Sequence, residues 1–145
     1  MASNLTTIIT ALKTALGTIK PANGYNLTVA EVIEGPALLT DAINRPGIAV
    51  YYPTENIKNY VFGKSEAEIT VFLWGYVDAK NPRDFTNLKK LHEDLLSLLG
   101  SSTNWTYQEW TDVKSVSFFF GGSTQSVGIL QLEMTISYRY NFGSP

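Results

Sequence analysis

A chain of 145 residues without cysteine excludes disulfides, thiolate nucleophiles and cysteine metal sites, and its length fits one domain, residues 1–145, with a substantial core. A formal net charge of −2 lacks the basic excess that wrapping nucleic acid requires. Charged residues make up only 17% against 44% hydrophobic, below the ~25% charged share usual for soluble domains, so much of the surface must be neutral polar or aromatic.

Leu5, Ile8, Ile9, Leu12, Leu16 and Ile19 recur at helical spacing, with Ser3 or Asn4 as the N-cap and Gly17 to Pro21 as the stop. This N-terminal stretch, MASNLTTIITALKTALG, has neither the charged n-region nor the continuous apolar h-region of a signal peptide. No segment approaches the ~20 apolar residues of a membrane span. A soluble product made in the cytosol is expected, and the sequons at Asn4, Asn26 and Asn104 read as chance.

Asn23-Gly24 marks a turn, after which Tyr25, Leu27 and Val29 alternate and Val32-Ile33 continue extended, predicting a strand with a bulge up to Gly35-Pro36. PALLTDAIN has the makings of a short helix begun by Pro36, and Arg45-Pro46-Gly47 breaks it before the strand Ile48 to Tyr52. A loop is expected from Pro53 to Lys64. From Glu66 to about Val77 the period is two: Ala67, Ile69, Val71, Leu73, Gly75 and Val77 on one face, Glu66, Glu68, Thr70, Phe72, Trp74 and Tyr76 on the other. At ~3.4 Å per residue such a strand spans roughly 40 Å, more than a sheet of this size needs to cover two helices.

Asn81-Pro82 signals a helix start, and Phe85, Leu88, Leu91, Leu95, Leu98 and Leu99 mark the apolar face of a second helix ending at Gly100. The polar and aromatic SSTNWTYQEW leads to a strand from Val113 to Phe120. Gly121 to Thr124 turn it into a last strand with Leu130, Leu132, Met134, Ile136, Tyr138 and Tyr140 on one face and Gln131, Glu133, Thr135, Ser137 and Arg139 on the other. The fold class predicted is α+β: two layers, a mixed and mostly antiparallel sheet of four or five strands, and both amphipathic helices on one face.

Motifs for chemistry are weak. Gly63-Lys64-Ser65 resembles the end of a phosphate-binding loop, but the first glycine of G-x-x-x-x-G-K-[ST] would stand where the chain has Lys58, and a strand follows instead of a helix. The only histidine, His92, has Glu93 and Asp94 beside it but no nucleophile elbow, and adjacent carboxylates diverge on a helix where shared ligation needs spacing of three or four. Paired carboxylates are scattered singly, as with Glu31 and Glu34; Glu66 and Glu68 share a strand face that would suit an acid pair, but their place at a strand entrance more simply means solubility. No catalytic residue, cofactor or metal is expected. The bland reading of His92 is a residue at a helix border; a concave pocket around it would favour a small-molecule binding domain or a hydrolase using His92 and a nearby carboxylate.

Large aromatics are more plentiful than one core requires. Phe72, Trp74 and Tyr76 share the strand face opposite Val71 and Leu73, and Trp105, Tyr107 and Trp110 crowd one connection. They are covered either by loops of the same chain or by another subunit, since Trp and Tyr are enriched and charge depleted at interfaces. The interface candidates are Tyr60, Phe62, Lys64, Phe72, Trp74, Tyr76, Trp105, Trp110, Gly121 and Gly122.

The order of elements resembles the tail terminator (tail completion) proteins of long-tailed bacteriophages. The likeness rests on LTTIITALKTAL, then RPGIAVYYP, the strand ITVFLWGYV, the helix DFTNLKKLHEDLLSLL and the closing strand ILQLEMTISYRY, over roughly Leu5 to Tyr140. It implies a non-enzymatic virion protein made in the host bacterial cytoplasm. Such a protein forms a ring, commonly of six copies, that caps the head-proximal end of the tail tube, ends its polymerisation and docks to the neck. The implied partners are other copies of itself, the tube protein and a neck or head-completion protein, with the tail sheath as a further candidate, DNA only passing through the lumen and no membrane. Head-completion and neck connector proteins share similar small α+β designs, so a neck connector is the alternative.

Overall fold

The computed structural model describes residues 4–35, 44–61, 64–121 and 126–141, with the backbone alone at 4, 58–61, 64–65 and 139–141. Helix α1 runs from Asn4–Leu16, strand β1 from Glu31–Glu34, β2 from Gly47–Val61, β3 from Lys64–Asp78, helix α2 from Thr86–Leu99, β4 from Thr111–Gly121 and β5 from Val127–Asn141. The strands form one five-stranded sheet in the order β1-β2-β3-β5-β4. Among the described residues, only β1 and β2 pair in parallel, and the other pairings are antiparallel. The fold is α+β with a single mixed sheet.

The period-two pattern decides which face the helices cover. In register, Ile69, Val71, Leu73 and Gly75 of β3 stand opposite Ile136, Met134, Leu132 and Leu130 of β5, so the apolar sets of both strands fall on one side. That side packs against Ile8, Ile9, Leu12 and Leu16 of α1 and Leu88, Leu91, Leu95 and Leu98 of α2, all buried. Each helix buries one stripe; Lys89, Lys90 and Glu93 occupy the outer side of α2. Two glycines set how close α2 can come. A Cβ at Gly75 would collide with Leu91 Cδ2, and one at Gly128 would lie 2.9 Å from Leu88 Cγ, so both strands lack side chains where the helix presses on them.

The connections differ from expectation in three places. The expected loop from Pro53 to Lys64 is instead strand: β2 continues to Val61 and pairs with β3 up to Val61 opposite Lys64, with register breaks between Tyr51 and Thr54 and between Ile57 and Asn59. Pro53 is accommodated at the first of these irregularities, where a missing N–H removes no ladder bond. Tyr25 to Ala30 are not strand; this stretch is tied to its neighbours by Val29 N–H to Ile19 O (3.0 Å) and Ala30 N–H to Pro46 O (2.7 Å). Asn81 does not cap α2 but closes a turn through Arg83 N–H to its Oδ1 at 2.8 Å, and the helix begins at Thr86. The Asn23-Gly24 turn falls where expected, after a short 3₁₀ turn at Pro21–Asn23. The short helix read in PALLTDAIN falls at 36–44, almost all outside the described residues.

The sheet outruns its helices. A 15-residue strand extends roughly 50 Å, whereas the 14 residues of α2 span about 21 Å. Beyond the helices, β2, β3 and β5 form a three-stranded arm, and Pro53 to Ile57 along it are exposed.

Candidate functional site

The helix-free face of the sheet carries a small second apolar cluster. Ala49, Tyr76 and Val127 are buried there, with Ile33, Trp74 and Ile129 half-buried against them. Phe72 lies further along the same face, its ring 6.4 Å from Tyr51. Burial pushes the Tyr76 phenol above its ordinary pKa. The Trp74 indole N–H is enclosed without a hydrogen-bond partner among the described residues. The polar half of the face, Glu133, Thr135 and Ser137 on β5, is half-buried to buried and is not a freely solvated strip.

β4 presents the second aromatic surface. Its three consecutive phenylalanines must alternate: Phe118 and Phe120 stand on the helix side opposite Leu130 and Gly128, and Phe119 on the other side opposite Ile129. Phe118 is 41% and Phe119 48% exposed. Phe118 is held in place edge-on by Phe85 (6.5 Å between centroids) and by His92 (5.8 Å). β4 is the last strand of the sheet, so its outer edge carries no ladder among the described residues.

The aromatic connection before β4 separates into two roles. Trp105 is buried, its ring 5.4 Å from Tyr107, and its indole N–H donates to Thr111 Oγ1 at 2.7 Å. Trp110, five residues on, is 55% exposed. Trp105 and Tyr76 are therefore corrections to the interface candidates: both side chains are enclosed by their own chain and offer no surface, Trp105 because its N–H finds Thr111 and Tyr76 because Ala49 and Val127 close around it. Trp110 is exposed, and Phe72 and Trp74 are half-exposed on the helix-free face. Gly121 ends β4; Phe62 and Gly122 lie outside the described residues, and Tyr60 and Lys64 are placed by backbone alone at the far end of the β2–β3 hairpin. Phe85, Phe118 and Phe119 were not among the candidates. The signal was present in the FFF run, since a strand cannot bury three consecutive side chains on one face.

The groups around His92 do not converge on a reacting centre. The Asp94 side chain is buried and points away from the histidine, accepting the backbone N–H groups of Asn26 (2.8 Å) and Leu27 (2.9 Å). Glu93 accepts from Asn26 Nδ2 at 3.0 Å. Both carboxylates thus fasten the segment after the first turn to α2. His92 itself rests against Phe118, and the clefts lined by Gly35 and Tyr52, by Lys80 and Asn87, and by Lys13 and Val32 do not include it. Among the described residues no cluster of three His, Asp or Glu side chains could hold a metal, and no helix is long and apolar enough to cross a membrane. Lys64 opens β3 opposite Val61, so Lys64 and Ser65 lie in a strand and present no helix N-terminus to a phosphate.

No family model matches this chain, and no curated protein matches it.

Proposed function

We propose that this chain is a structural assembly subunit, without catalytic activity, that forms a ring capping the head-proximal end of a bacteriophage tail tube. In this role the ring, of six copies, ends growth of the tube and docks to the neck; its place is the virion. The observation that carries the reading is the set of exposed aromatics on and around β4: Phe118 and Phe119 on its two faces, Trp110 in the 3₁₀ turn that leads into it, and Phe85 just before α2. Surfaces of this composition on one small protein mark contact with other protein. The order of elements on which the resemblance rests, from α1 through the long hairpin and α2 to the closing β4–β5 hairpin, supports the same reading. A neck connector differs from this only in its partner. The hydrolase reading receives no support from His92, which packs on Phe118 while its neighbouring carboxylates are engaged elsewhere.

Native mass spectrometry of the full chain across concentration and salt tests the proposal. A closed oligomer, with Trp110→Glu remaining a folded monomer, is the expected result. A chain that stays monomeric at every concentration, and neither binds nor shortens tail tubes assembled in its presence, would overturn it.

A further inference from the structure

The two ends of the sheet match each other. Followed through the registers, one cross-strand row on the helix side reads Val32, Ile48, Gly75, Leu130, Phe118, from the β1 edge to the β4 edge. The next row, on the helix-free side, reads Ile33, Ala49, Trp74, Gln131, Ser117. β1 runs in the direction of β2 and β5, and β4 runs against β5, so β1 and β4 are antiparallel to each other.

The edges also differ in shape in a complementary way. From Ser115 to Gly121, β4 has no charge, no proline and no register break; its only charged pair, Asp112 with Lys114, lies beside the break between Val113 and Ser115 in its first half. An edge of this kind is open to a further strand. Phe118 projects from it on the helix side, already oriented by Phe85 and His92. At the opposite end, beside β1 and on the same helix side, lies a cleft of about 410 Å³ between α1 and the strand. Its lining includes Lys13, Thr14 and Gly17 of the α1 end and Val29 and Val32. The lining is mixed: Gly17 and the two valines supply apolar surface, and Glu31 of β1 and Lys13 supply charge at the same cleft.

We infer that copies of this chain join edge to edge, β4 of one pairing antiparallel with β1 of the next, with Phe118 seated in the cleft between α1 and β1 of that neighbour. The inference rests on the ring reading above and specifies its interface. Two different edges meeting head to tail make a heterologous contact, the kind that closes into a ring when rotation alone relates successive copies. With strands along the ring axis, such a rotation returns each row to its own height, placing Ser117 opposite Ile33 and Phe118 opposite Val32. Of the two glutamates of β1, Glu34 accepts the Tyr52 hydroxyl at 2.8 Å, and Glu31 accepts the Asn44 N–H at 3.4 Å and also lines the cleft, with Lys13 in the same lining. Phe118 acts as a rigid anchor whose orientation exists before binding, which lowers the ordering cost of association.

The absence of cysteine makes a direct test possible. In the full chain carrying Ile33→Cys and Ser117→Cys, opposed residues of an antiparallel pair stand about 4.5–5.5 Å apart at Cα, within disulfide reach. Mild oxidation is expected to give a ladder of covalent multimers ending at the copy number of the ring and collapsing to monomer with reductant. Either single variant should stay monomeric on the gel. Adding Phe118→Asp, which changes an exposed side chain and should leave the far-UV circular dichroism unchanged, is expected to cut crosslinking at least tenfold. If native mass spectrometry shows an oligomer but the double variant does not crosslink, this interface is wrong while the ring stands. If Ser117→Cys alone forms dimers, β4 pairs with β4 about a two-fold axis and the head-to-tail interface is overturned. If neither an oligomer nor a crosslink appears with or without tail tubes, both readings fall.

Discussion

Replacing Asp94 by alanine should lower stability by about 2–4 kcal/mol while leaving assembly surfaces untouched. The figure follows from two charge-assisted hydrogen bonds, to Asn26 N–H at 2.8 Å and Leu27 N–H at 2.9 Å, each worth about 1.5–3 kcal/mol. The sum is discounted because Asn26 is exposed and its N–H regains water in the variant, whereas Leu27 is half-buried and regains it less fully. Urea unfolding of the purified chain is the assay. With a slope of about 2 kcal/mol/M for a protein of this size, the midpoint should fall by roughly 1–2 M at unchanged slope. Asp94→Asn, which keeps one acceptor, should fall between the two. A midpoint for Asp94→Ala within about 0.3 M of the parent would refute the reasoning that this carboxylate fastens residues 26 and 27 to α2.

Three further outcomes follow from the packing. Gly75→Ala inserts a methyl against fully buried Leu91 and should destabilise by about 1–3 kcal/mol, with Leu91→Ala in the same chain recovering part of the strain while opening a cavity of its own; calorimetry of the three variants reads the coupling. Trp105→Ala should cost about 3–5 kcal/mol and Trp110→Ala under about 0.5 kcal/mol in the same urea assay, because only the first is core. Asp84 accepts the backbone N–H of Lys80 and, on its other oxygen, that of Thr86, which holds its carboxyl below the ordinary range. A folded pKa below the unfolded one contributes stability above the unfolded value and loses it as pH falls through the folded value. Thermal melts from neutral to acid pH should therefore show a smaller acid loss for Asp84→Asn than for the parent, and equal losses would count against the assignment.

Much of the architecture was legible because it depends on local period. The stripe of Leu88, Leu91, Leu95 and Leu98 and the alternation of β3 and β5 each state which side of an element is apolar, and a sheet with one apolar face must place its helices there. The alternation even separated Val71 and Leu73 from Phe72 and Trp74 correctly. Proline and polar residues from Pro53 to Lys64 misled, because a strand that leaves the core needs no hydrophobic alternation once its neighbour supplies the ladder. That ladder comes from β3, a partner whose pairing no window of β2 reveals.

The division of the aromatics was decided by tertiary structure alone. Trp105 and Trp110 lie in one uniform stretch, yet one finds Thr111 for its N–H under the core and the other faces outward. Tyr76 and Trp74 share a strand face, but Tyr76 is sealed beneath Ala49 and Val127 and Trp74 only half so. Asp94 beside His92 has the composition of a catalytic pair, and only the fold turns its carboxylate toward Asn26 and Leu27, 68 and 67 positions away in the chain. Period is a property of neighbours along the backbone and is written in the sequence; enclosure and pairing depend on segments distant in the chain, and those meet only when the sheet closes over its helices.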